Sequence, residues 1–179
     1  MKRVALAVLV AAFAAAAYAA PANATVTFEG VCEWDGEAWF GVPLRFVPQD
    51  MDWGFDSAAG TCTGLVNGQL LEDTPVTAEV DGQGSISCGV LGRSLGARFV
   101  ADFVAIPGDT KLKGRLTLAA VAAQNALAVQ GDEGGVATGR ASFFGQNDQV
   151  AVVNGCLEGN SVRSLKVNVL VKTAGPVSG

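Results

Sequence analysis

Apolar and polar residues alternate one for one along much of this chain. Val76, Ala78 and Val80 alternate with Thr77 and Glu79; Ile86, Cys88 and Val90 with Ser85, Ser87 and Gly89; Ala97, Phe99, Ala101 and Phe103 with Arg98, Val100 and Asp102. Near the end, Val167, Val169 and Val171 oppose Lys166, Asn168 and Lys172, with Leu170 interrupting the polar face. A period of two puts successive side chains on opposite faces, so each run predicts a strand with one buried face. Residues 115–130 carry enough Ala and Leu for an amphipathic helix. Because Leu116 and Leu118 alternate with Arg115 and Thr117, we read two strands instead, about 113–121 and 126–130, joined at Ala123-Gln124-Asn125.

Short clusters separate the runs: Val66-Asn67-Gly68-Gln69, Asp81-Gly82-Gln83-Gly84, Gly131-Asp132-Glu133-Gly134-Gly135 and Gly145-Gln146-Asn147-Asp148. Connections this short favour antiparallel hairpins over crossovers. The expectation is one all-β domain over residues 25–179, an antiparallel meander of about nine to eleven strands, closed into a β-barrel or folded as a β-sandwich. Cys32 shares a phase with Val26 and Phe28, and Cys156 with Val150 and Val152, so both are read as strand positions.

The first 24 residues break the pattern. Lys2 and Arg3 precede an uninterrupted apolar run, Val4–Ala20, and Pro21 leads into Ala22-Asn23-Ala24. This is the signature of a secretory signal peptide, 1–24, cleaved before Thr25, with Ala17-Tyr18-Ala19 as a second candidate site. An uncleaved anchor is the weaker reading, since the run is short and mostly Ala. Removing the leader leaves all 23 glycines in the mature part, as befits a chain built from short elements and turns.

Four cysteines, Cys32, Cys62, Cys88 and Cys156, all fall in the mature part, and an even count in an exported chain predicts two disulfides, with three connectivities open. Their wide spacing lacks the paired ligands of a zinc site.

Charge is divided along the chain. Residues 25–81 hold eleven acids and one base, Arg45; residues 82–179 hold six acids and nine bases, giving −10 and +3. An acidic surface repels phosphate backbones, which argues against a nucleic-acid partner. All three tryptophans, Trp34, Trp39 and Trp53, lie in the acidic part. They are candidate ligand-binding residues, because an exposed indole beside carboxylates stacks on a sugar ring while the acids bond its hydroxyls. Asp50, Asp52 and Asp56, read as a loop, are candidate calcium ligands; otherwise no cofactor is expected. The competing expectation is that the tryptophans are core and the acids solvated.

Catalysis is narrowed by elimination. The chain has no His, and Tyr18, its one tyrosine, is in the leader. Imidazole-dependent triads and His-ligated metals are therefore excluded. No Ser-x-x-Lys motif, P-loop or G-x-G-x-x-G turn is present. Carboxylate chemistry on a glycan survives, with Glu33, Asp35 and Glu37 as the acids to nominate, although Asp35-Gly36-Glu37 reads first as an exposed hairpin turn.

Gly60-Thr61-Cys62-Thr63-Gly64 with the Asn67-Gly68 turn, then Gly84-Ser85-Ile86-Ser87-Cys88-Gly89, then Gly155-Cys156 before a terminal alternating strand, resembles a pattern in small secreted β-rich proteins of high-GC Gram-positive bacteria. The resemblance implies an exported, disulfide-bonded β fold and no activity. The expected function is a secreted non-enzymatic β module, binding or structural, in the cell envelope or extracellular space, with a glycan, an envelope component or itself as partner and no membrane insertion after cleavage. The alternatives are an extracellular subunit assembling head to tail, acidic part against basic part, and a glycan-active protein using carboxylates.

Overall fold

The structure, a computed structural model, describes residues 25–88, 93–121, 124–143, 146–159 and 161–179. The leader assigned to 1–24 lies outside these residues, as do Gly89, Val90, Ala123 and Gly145.

Among the described residues nine strands and one helix follow in order: β1 Thr27–Phe40, β2 Gln49–Val66, β3 Gln69–Ile86, β4 Arg93–Asp102, β5 Lys111–Val121, β6 Gln124–Gly131, β7 Val136–Ser142, α1 Gln149–Glu158, β8 Ser164–Thr173 and β9 Val177–Ser178. Each of the first seven strands pairs antiparallel with the next, and β1 pairs with both β2 and β8. The meander therefore closes into an eight-stranded barrel, and β9 adds a short pairing to the start of β1. Closure removes the two open edges a sheet of this length would otherwise present.

The predicted alternation sets which rows face inward. Val76, Ala78 and Val80 of β3, Ala97, Phe99 and Ala101 of β4, and Val167, Val169 and Val171 of β8 are buried. Residues 115–121 and 124–130 belong to β5 and β6, not to a helix. At the β2–β3 hairpin Asn67 and Gly68 both have positive φ, 51° and 79°, as a two-residue turn matched to strand twist requires.

Four local readings fail. Asp81–Gly84 is not a turn: β3 runs through it, and the glycines sit where its register with β4 shifts. The segment Asp50–Asp56 is part of β2, and Asp35-Gly36-Glu37 is inside β1. Cys156 and Val150 are not on a strand, because the Asp148 carboxylate caps α1 by accepting from the Val150 and Ala151 N–H groups at 3.0 and 3.1 Å, and Gly159 in the left-handed conformation (φ 69°) ends it. Capping at both ends outweighs the strand preference of three valines.

Bulges keep the long strands inside the barrel's curvature. Against both neighbours β2 carries one extra residue at Asp56–Ser57, so its inward set changes from Met51, Trp53 and Phe55 to Ala58, Cys62 and Val66. Similar extra residues fall in β3 at Glu72–Asp73, where Asp73 has φ 44°, and in β4 at Leu95–Gly96, where Gly96 has φ 71°.

The lumen is filled. Trp34 meets Phe99 edge-on with ring centres 6.1 Å apart, Trp53 meets Phe55 at 5.9 Å, and Phe28 tilts against Phe103 at 5.6 Å. Two lumen voids lined by these rings hold about 20 Å³ each, room for no more than a water-sized molecule. Two disulfides form, Cys32–Cys62 across β1 and β2 and Cys88–Cys156 from the end of β3 to α1.

Candidate functional site

A meander that closes strand by strand turns sequence neighbours into spatial neighbours, so the acidic first part becomes one wall. Outward on β1 stand Glu29, Glu33, Asp35 and Glu37; on β2 Asp50, Asp52 and Asp56; on β3 Glu72, Asp73, Glu79 and Asp81. The strands that complete the barrel carry Arg93, Arg98, Lys111, Lys113, Arg115, Arg140, Lys166 and Lys172. Among the described residues the ion pairs are those of Lys111, with Asp109 at 3.0 Å and Asp102 at 3.6 Å. Asp109 beside its ammonium holds the Lys111 pKa above the usual lysine value. The two walls thus face solvent largely unneutralised by one another.

The structure separates the three tryptophans. Trp34 and Trp53 point into the lumen and are each 3% exposed. The Trp53 Nε1–H donates to Ser94 Oγ at 2.9 Å, and Ser94 in turn donates to the Gln83 carbonyl at 2.7 Å. Trp34 Nε1 has no hydrogen-bond partner among the described residues. Trp39, five positions after Trp34, falls in the opposite phase and lies half-buried on the outer wall.

The β2 bulge exposes Asp56, whose Oδ1 accepts from Trp39 Nε1 at 2.8 Å and fixes the indole. Trp39 is directly opposite Gly54 in the β1–β2 ladder, and a Cβ there would stand 3.1 Å from Trp39 Cζ2 and collide with the Val80 carbonyl. Gly54 is what lets the ring lie flat against the wall. The same lateral row continues from Gly54 to Asp81 and from Asp81 to Arg98. Trp39, Asp56, Glu79, Asp81, Arg98 and Val100 line an open groove of about 430 Å³. Asp81 and Arg98 are directly opposed yet form no ion pair, and neither they nor Glu79 bond another described side chain.

The other nominated acids are spread out. Asp50 and Asp52 line a second depression, of about 800 Å³, with Gln83 and Arg93, and Asp52 accepts from Gln83 Nε2 at 2.9 Å. Asp56 belongs to the Trp39 groove. Along one face of an extended strand, positions two apart are separated by about 6.6 Å, too far for the three to surround one ion. No group of three potential ligand residues is gathered among the described residues. Glu33, Asp35 and Glu37 share the outward row of β1 with Trp39. Asn168 Nδ2 donates to Glu33 at 2.8 Å and Asp35 at 3.1 Å, and Ser164 Oγ donates to Glu37.

The fold and site together define a closed, filled, antiparallel eight-stranded barrel with its chemistry on the outside. No family model, curated protein or solved structure matches the chain.

Proposed function

We propose that this chain is an exported, non-enzymatic β-barrel module that acts by binding, or as a structural part of the cell envelope or extracellular matrix, through its outer wall. The observation that carries the reading is the packed lumen beside an outer wall of charges: the two voids between the lumen rings are each about 20 Å³, too small for a ligand of ordinary size, which favours recognition at the surface. Apolar rows point inward and charged rows outward, the reverse of a lipid-facing barrel, which supports a module that stays in water. Among the described residues no helix is long and apolar enough to cross a membrane. Both disulfides suit an oxidising compartment.

Expressing the whole chain in an exporting host, fractionating the culture and taking intact masses tests this. The expected product begins at Thr25, is found in the medium or is released from the envelope by salt, and gains four hydrogens on reduction. A full-length chain retained in the cytoplasm with free thiols would refute it.

The segregation of acids and bases onto different walls favours a second reading, head-to-tail assembly of copies acid to base. Size exclusion at low and high salt decides it: a monomer under both conditions disposes of assembly.

A further inference from the structure

We propose that the groove across β1–β4 is a glycan site that takes a neutral pyranose chain, with Trp39 as its stacking platform. This rests on the reading of the chain as a binding module and narrows it to one surface and one ligand class.

Three features of the groove point to sugar. Trp39 is held in place by Asp56 and laid flat by Gly54, so its ring is ordered before any ligand arrives. A preordered aromatic face loses little freedom on binding and suits the C–H face of a pyranose. Beyond it, Glu79 and Asp81 offer acceptors and Arg98 offers donors that no other described side chain engages, and a ring of hydroxyls needs both. Val100, itself buried, closes the far side of the groove with apolar lining. From β1 to β4 the row crosses three strand spacings, roughly 14 Å, which suits a short stretch of oligosaccharide better than a single ring.

Charge selects within the sugars. Three carboxylates against one guanidinium leave the groove negative, so uronic-acid and sulfated polymers are repelled. Trp34 and Trp53 take no part, since both are enclosed in the lumen.

Affinity electrophoresis of the mature, oxidised protein through gels containing xylan, mannan, laminarin, glycol chitin or polygalacturonate tests the proposal. We expect retardation by at least one neutral polymer and none by polygalacturonate. Trp39→Ala should weaken that binding on the order of tenfold. Arg98→Ala, an exposed change that leaves the core untouched, should weaken it severalfold, and Arg140→Ala on β7, across the barrel from the groove, should not alter it. The bound polymer should also protect Trp39 from acrylamide quenching, while Trp34 and Trp53 emission is unaffected.

Binding that survives Trp39→Ala and Arg98→Ala would overturn this site while leaving the binding-module reading in place. Preference for polygalacturonate would overturn the ligand class. No retardation by any polymer would overturn the glycan proposal, and the export and fractionation experiment would still stand as an independent test of the module reading.

Discussion

Removing the two disulfides separately should cost unequal but additive amounts of stability. The bridges close loops of 30 and 68 residues, and the loops follow one another along the chain without overlapping. Closing one therefore does not shorten the other in the unfolded state. From loop length alone, the chain-entropy relation gives about 3.6 kcal/mol for Cys32–Cys62 and about 4.4 kcal/mol for Cys88–Cys156, together about 8 kcal/mol. A domain of this size has a total of roughly 5–15 kcal/mol, so losing both should leave it marginal or unfolded. Urea unfolding of Cys32→Ala/Cys62→Ala, Cys88→Ala/Cys156→Ala and the quadruple variant, followed by the emission of buried Trp34 and Trp53, gives each value. Reduced wild type is the control, because it keeps the sulfur atoms in place and removes only the crosslinks. A cost below about 1 kcal/mol for the Cys88–Cys156 pair would refute the reasoning. That outcome would mean that α1 detaches from the barrel without unfolding it, so the crosslink constrains only a local segment. Costs that fail to sum would refute the independence of the loops.

Other substitutions check particular contacts. Trp53→Phe deletes the hydrogen bond to Ser94 and should cost about 1 kcal/mol more in thermal or urea unfolding than Trp34→Phe, which deletes an indole N–H without a partner among the described residues. Asp148→Ala removes the α1 cap and should cost about 1 kcal/mol, with faster hydrogen exchange at Val150 and Ala151. Because Lys111 has a raised pKa, its pairing stabilises the fold from neutral pH up to the ordinary lysine value and is lost as pH rises through the raised one. Asp109→Asn should lower the Lys111 pKa in an NMR titration; an unchanged value would count against Asp109 as the main cause.

The antiparallel all-β fold was legible because inward rows such as Ala97–Phe99–Ala101 and Val167–Val169–Val171 keep a strict period of two over whole strands. The choice of barrel over sandwich was not, since it depends on β1 pairing with β8, a contact between residues more than a hundred positions apart that no local pattern encodes. Breaks in phase misled most. The bulge at Asp56–Ser57 moves the inward set from odd to even positions and hides the continuity of β2; Asp50–Asp56 itself alternates with Met51, Trp53 and Phe55 inward, and its aspartates and Gly54 are what suggest a loop. Asp81–Gly84 carries turn residues because β3 needs small side chains where its register shifts. The helix α1 was hidden by valines, and the signal that could have found it was Asp148 before the run and Gly159 after it. For the site, the five-residue step from Trp34 to Trp39 already places them on opposite faces. Grouping all three tryptophans by their neighbourhood in sequence obscured that parity. Glu79 reaches Trp39 only across β2, and Arg98 only across β2 and β3.

The division of charge between walls gives the barrel an electric polarity across its width, as a magnet has poles. Near a polyanionic polymer such a body turns before it touches: the β4–β8 side leads and the β1–β3 side trails. The groove at Trp39, lying on the trailing side, would then face away from the polymer, so that adsorption through one wall would display the other to the surrounding medium.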